Sequence, residues 1–164
     1  MSLFPRPILQ LAELVLADAS EKSLMIVTAE SCTGGLVGGL LTELAGSSNF
    51  FERGFVTYSN HAKLEILGVS GAVIRTFGAV SPQCAHAMAE GALKNSHAQL
   101  AVAITGVAGP GAHGPKPEGY VCFATALKDA ETLTREEHFG ALGRSNVRLA
   151  SVKVAMQMLL ERLA

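Results

Sequence analysis

Thr28-Ala29-Glu30-Ser31-Cys32-Thr33-Gly34-Gly35 follows the apolar run Leu24 to Val27 and leads into a segment of small residues. An apolar run ending in hydroxyls and glycines predicts a buried strand that gives way to a helix, here beginning near Gly34 and reaching about Leu44. The first N–H groups of such a helix lack intrahelical partners and carry the positive end of its dipole, so they suit a phosphate or a developing oxyanion. Ser31 places a hydroxyl in that field. Gly34, Gly35, Gly38 and Gly39 are costly in a helix, which points to close approach by a neighbouring backbone or a ligand.

On the N-terminal side, Ile8, Leu11, Ala12, Val15 and Ala19 repeat with helical spacing after Pro5 and Pro7. On the C-terminal side, Phe55 to Tyr58 reads as a second strand, and Ser59 or Asn60 caps a helix through Lys63 to Leu67. Ser81 caps a further helix from Pro82 to about Asn95. Leu100 to Ile104 is continuously apolar, as in a central strand covered on both faces, and it opens into a Gly/Pro-rich loop from Thr105 to Gly119. Tyr120 to Leu127 and Leu133 to Phe139 form an antiparallel pair, and a last helix starts at Arg144. This order predicts an α/β fold, a three-layer α/β/α sandwich with a mixed sheet, as one domain over residues 1–164. Ligands of such sheets bind beyond the carboxyl ends of strands, where Ser31, Tyr58 with Lys63, and the loop from Thr105 to Gly111 would converge.

Composition narrows the function. A net charge of −1 and 5% aromatic residues argue against a nucleic-acid partner and for a small molecule. Cys32, Cys84 and Cys122 lie far apart with no metal-ligand spacing, so neither a disulfide framework nor a metal site is expected, and no cofactor is implied. No leader or apolar run of bilayer length is present, so the expected setting is cytoplasmic, without a membrane partner.

Ser31 and Lys63 carry the chemical signal. Lys63 falls near the third position of its helix, where the dipole disfavours a cation and burial would lower its pKa further. A serine nucleophile activated by such a lysine, with Tyr58 relaying a proton and N–H groups around Cys32 to Gly35 holding an oxyanion, would serve acyl transfer from an amide or ester. Each residue also has an ordinary role. Ser31 or Thr33 serves as an N-cap, Lys63 as a solvated helix residue, Tyr58 as a half-buried strand residue, and Glu30 as a capping partner or as the group orienting Lys63. Cys32 is either a buried spacer or a nucleophile in its own right. Arg144 and Arg148 share a helical face that meets either an anion or solvent, and the five histidines are assigned no role.

The motif at Thr28–Gly35, Thr57-Tyr58-Ser59-Asn60-His61-Ala62-Lys63 with Leu67-Gly68-Val69, Gly78-Ala79-Val80-Ser81, and Thr105-Gly106-Val107-Ala108-Gly109-Pro110 together resemble the CinA C-terminal domain family. The resemblance implies a stand-alone enzyme of pyridine nucleotide salvage that hydrolyses the carboxamide of nicotinamide mononucleotide to nicotinate mononucleotide and ammonia, as a homodimer. It implies Ser31 as nucleophile with Tyr58 and Lys63 as activating partners. Glu30, Gly34, Gly35, Asn60, Thr105, Gly106, Ala108 and Gly109 would bind substrate, and Arg144 would meet its phosphate. Two positions depart from the family pattern: Gly143 stands where Asp or Asn is common, and Glu118 where an apolar residue is usual. Two other readings fit the same residues, a nucleotide-binding module without turnover and a hydrolase using Cys32.

Overall fold

Side chains alternate across a strand, so a central strand with apolar residues at every position needs cover on both faces. A computed structural model describes residues 1–164 and supplies that cover. Its helices are α1 (Arg6–Glu21), α2 (Leu36–Thr42), α3 (Asn60–Leu67), α4 (Gly71–Phe77), α5 (Pro82–Lys94) and α6 (Arg144–Leu163). Its strands are β1 (Ile26–Glu30), β2 (Phe51–Val56), β3 (Leu100–Gly106), β4 (Tyr120–Leu127) and β5 (Leu133–His138). They form one mixed sheet in the order β2-β1-β3-β4-β5, with β2, β1 and β3 parallel and β4 and β5 antiparallel. The expected α/β sandwich is present.

The two faces of the sheet differ in side-chain size. Ile26, Leu100, Val102, Ile104, Val121 and Phe123 pack with α1, α2 and α6. Val27, Ala29, Ala101, Ala103, Cys122 and Ala124 face α5, which answers with Cys84, Ala85, Met88, Ala89 and Ala92. Small residues on both sides let α5 lie close to β1, β3 and β4. Helix α3 in turn lies against α5, and a Cβ at Gly91 would overlap the carbonyl oxygen of Leu67. That contact fixes the end of the helix that carries Lys63 one turn earlier.

Several boundaries move. Gly34 (φ 58°) and Gly35 (φ 100°) are left-handed, so Ser31 to Gly35 is a turn, and the helix starts at Leu36 and ends at Thr42. The close approach expected at the glycines comes from the protein itself, with Gly38 facing the Phe51 ring and the Glu30 carboxylate. The second strand begins at Phe51 and ends at Val56, before Thr57 and Tyr58. It is an edge strand with polar Glu52 and Arg53, and so lacks the continuous apolar signal of β1 and β3. Helix α4, capped by Ser70, buries none of its residues, which is why hydrophobic periodicity did not predict it. Strand β3 extends to Gly106, and α5 and β5 each stop one residue early, at Lys94 and His138.

Gly91→Ala should test the α3–α5 contact. Forcing a methyl group against backbone costs roughly 1–3 kcal/mol or more, read as a lower urea midpoint at unchanged slope.

Candidate active site

Strand alternation sends Glu30 and Ser31 in opposite directions. Glu30 follows Ile26 to the α2 side, where its carboxylate accepts the Val37 N–H at 2.9 Å and the Gly38 N–H at 3.0 Å. Ser31 follows Val27 and Ala29 to the other side, where Lys63 Nζ lies 2.9 Å from its Oγ. Ser59 caps α3 by accepting the Ala62 N–H, and Lys63, the fourth helical residue, points inward with Leu67. Lys63 Nζ also donates to the carbonyl oxygens of Thr57 at 2.9 Å and Tyr58 at 3.5 Å.

This lysine is sealed, with 1% of its surface exposed and no carboxylate in ion-pair contact. Burial holds its pKa below the ordinary lysine value, partly opposed by the neighbouring Cys84 and Cys32. The same burial pushes the Cys84 thiol up to about 11 and the Cys32 thiol up to about 12, with the Glu30 carboxylate adding to the effect at Cys32. Burial thus works against a Cys32 thiolate and against the reading of Cys32 as the nucleophile.

A cleft of about 430 Å³ opens over this pair beyond the carboxyl ends of β1 and β3. It gathers Ser31, Tyr58, Asn60, Lys63, Thr105, Gly106, Ala108, Gly109 and Arg144 from the sites expected separately in sequence. Glu30, Gly34 and Gly35 do not line it. Ala79, Val80 and His113 do, although sequence reasoning gave them no role. The signal for Ala79 lay in the Gly78–Ser81 motif, and its carbonyl accepts the Thr105 hydroxyl at 2.7 Å. No carboxylate lines the cleft, and no group of three His, Cys, Asp or Glu side chains is positioned to hold a metal ion.

Two expectations need correction. The α2 amides are not free for a ligand, because Glu30 takes those of Val37 and Gly38, and the turn folds back through Gly34 N–H to Ser31 O and Leu36 N–H to Thr33 O, each at 3.0 Å. The N–H groups of Cys32, Thr33 and Gly35 have no oxygen acceptor in the chain, and that of Cys32 faces its own thiol sulfur. Tyr58 is not a half-buried strand residue but is 62% exposed, and its phenol bonds to neither Ser31 nor Lys63. Arg144 donates instead to the Tyr58 hydroxyl at 3.0 Å and to the Gly109 carbonyl at 2.6 Å, tying two loops across the mouth. Arg148, on the same helix, donates to the carbonyls of Cys32 and Thr33 behind the turn.

Residues 8–163 match the family model described as the CinA C-terminal domain. The chain belongs to the CinA C-terminal domain family. A crystal structure of the competence/damage inducible protein CihA from Agrobacterium tumefaciens superposes with a TM-score of 0.95 at 51% identity, covering 98% of each chain. A nicotinamide-nucleotide amidohydrolase, PncC, from Enterobacter agglomerans is 46% identical over 142 residues, 86% of both chains. A CinA-like protein from Mycolicibacterium gilvum is 52% identical over 135 residues, 82% of this chain but 32% of that longer protein.

Within this CinA C-terminal domain, Glu30 has a structural task that can be separated from the cleft. Glu30→Gln would place an amide NH₂ against a backbone N–H, and losing a buried charged acceptor of this kind costs on the order of 1–3 kcal/mol. The expected result is a lower denaturation midpoint, measured by circular dichroism.

Proposed function

We propose that this CinA C-terminal domain is an amidohydrolase that cleaves the carboxamide of nicotinamide mononucleotide, releasing ammonia and nicotinate mononucleotide. The carrying observation is Lys63 Nζ at 2.9 Å from Ser31 Oγ on the floor of the cleft, with the lysine buried. A neutral amine there has two N–H groups for the Thr57 and Tyr58 carbonyls and a lone pair left for the Ser31 O–H. An ammonium would fill the same three contacts with its three N–H groups, so it is burial without a carboxylate that favours the base form of this lysine.

In this mechanism Ser31 Oγ attacks the carboxamide carbon as its proton passes to Lys63. The carbonyl oxygen becomes an oxyanion facing the Cys32 N–H. Collapse breaks the C–N bond, and the proton on Lys63 goes to the departing nitrogen as ammonia. Water then attacks the Ser31 ester while giving its proton to Lys63; the ester bond breaks, and Ser31 recovers that proton. Arg144, at the mouth, is the one cation exposed to an arriving phosphate, and Asn60, Thr105, Gly106, Ala108 and Gly109 line the path between phosphate and nucleophile. Tyr58 contributes at the rim through Arg144 in the free protein. The name carried by the Enterobacter agglomerans relative supports this choice of substrate.

Ammonia release from nicotinamide mononucleotide tests the reading. Wild type should release it and Ser31→Ala should not, whereas nucleotide binding with no release by either would identify a binding module. The pH profile gives a second check. The amine is the active form of Lys63, so kcat/KM should rise with pH through a pKa below the ordinary lysine value and then level off. Lys63→Arg, charged throughout, should abolish that rise along with nearly all activity.

A further inference from the structure

Arg148 stands one helical turn beyond Arg144 on α6, yet its guanidinium lies behind the Ser31–Gly35 turn and outside the cleft. Nε donates to the Cys32 carbonyl at 3.1 Å, and Nη2 to the Thr33 carbonyl at 3.3 Å. No carboxylate pairs with this cation, so peptide dipoles are its counter-charge.

From there a continuous chain of bonds leads to the cleft. The peptide held at its oxygen by Nη2, Thr33–Gly34, presents its N–H to the Ser31 carbonyl at 3.0 Å. The peptide receiving that bond, Ser31–Cys32, presents the Cys32 N–H, which no oxygen of the chain accepts, and both of its residues line the cleft. A peptide polarised at its oxygen is a stronger donor at its nitrogen, and aligned hydrogen bonds reinforce one another. The α2 dipole is not available for this purpose, because the helix starts at Leu36 and Glu30 occupies its amides.

We propose that Arg148 is a positioning residue for the reaction: by holding the back of the Ser31–Gly35 turn it aims and polarises the Cys32 N–H toward the oxyanion formed when Ser31 attacks. The proposal rests on Ser31 being the nucleophile, as argued above, but not on the identity of the substrate. A planar fork is required, because one group must reach two successive carbonyls, and a lysine ammonium is a single point charge. Gly34, left-handed at φ 58°, leaves room for it, since a Cβ there would sit 3.3 Å from Nη2. The oxyanion exists only on the reaction path, so Arg148 should act on kcat and leave KM nearly unchanged.

The test compares wild type, Ser31→Ala, Arg148→Lys and Arg148→Ala in two assays, ammonia release from nicotinamide mononucleotide and nitrophenol release from p-nitrophenyl acetate. Melting temperatures are recorded for each protein. Arg148→Ala should lose about 10- to 100-fold in kcat at little changed KM, less than or equal to the loss typical of deleting an oxyanion donor. Arg148→Lys should fall between, and added methylguanidinium should restore part of the Arg148→Ala rate but none of the Ser31→Ala rate. The nitrophenol rates should fall in the same order. Unchanged kcat in Arg148→Ala would overturn the proposal, as would a loss that tracks a lowered melting temperature without methylguanidinium rescue. If wild type releases nitrophenol through Ser31 but no ammonia, the substrate assignment fails and the nitrophenol series decides Arg148. If Ser31→Ala matches wild type in both assays, or wild type is inert in both, Ser31 is not the nucleophile and the proposal falls with it.

Discussion

The contact between Lys63 Nζ and Ser31 Oγ imposes the constraint to which the rest of the structure answers. A lysine with 1% exposure and no counter-ion is costly to bury, and only a rigid frame keeps its head from swinging out to water. That frame comes from three sides. β1 delivers Ser31 at a fixed height, the cap at Ser59 sets the first turn of α3, and α5 closes on the far end of that helix at Leu67 with no room for a side chain on Gly91. The alanines on that face of the sheet serve the same geometry, since bulkier residues would lift α5 and the helix it supports.

A second consequence follows from strand alternation. Glu30, the last residue of β1, and Ser31, the first beyond it, take up different work on opposite sides of the sheet, Glu30 closing the start of α2 and Ser31 meeting the lysine. The carboxylate saturates amides that would otherwise attract an anion to the wrong place. What remains open are the N–H groups of Cys32, Thr33 and Gly35, of which that of Cys32 is beside the nucleophile, in a turn made possible by left-handed Gly34 and Gly35.

Helix α6 contributes two arginines that share a face in sequence and divide their labour in space. Arg144 bridges the Tyr58 and Gly109 loops at the mouth, and Arg148 holds carbonyls behind the turn. Gly143, at the start of this helix with φ 92°, offers no side-chain cap, so Arg144 is placed by its own bonds to the opposite loop.

Much of this was legible in the chain itself. Apolar runs and helical spacing determine the α/β order, the central place of β1 and β3 and the cap at Ser81, and narrow the α3 cap to Ser59 or Asn60, because these depend on residues near in sequence. The motifs likewise point to Ser31, Lys63 and the Thr105–Gly109 loop, and the family resemblance adds Arg144, all of which meet in one cleft. The first residues of the edge strand β2 and the surface helix α4 left no clear pattern, because partial exposure or marginal burial weakens the periodicity on which such reading depends. Tertiary structure alone decided that Glu30 caps a helix, that the Tyr58 phenol meets Arg144 instead of the nucleophile, and that Arg148 reaches a turn more than a hundred residues away in sequence. Those outcomes turn on which way a side chain points once distant elements pack, and local sequence carries no record of the partner that packing brings.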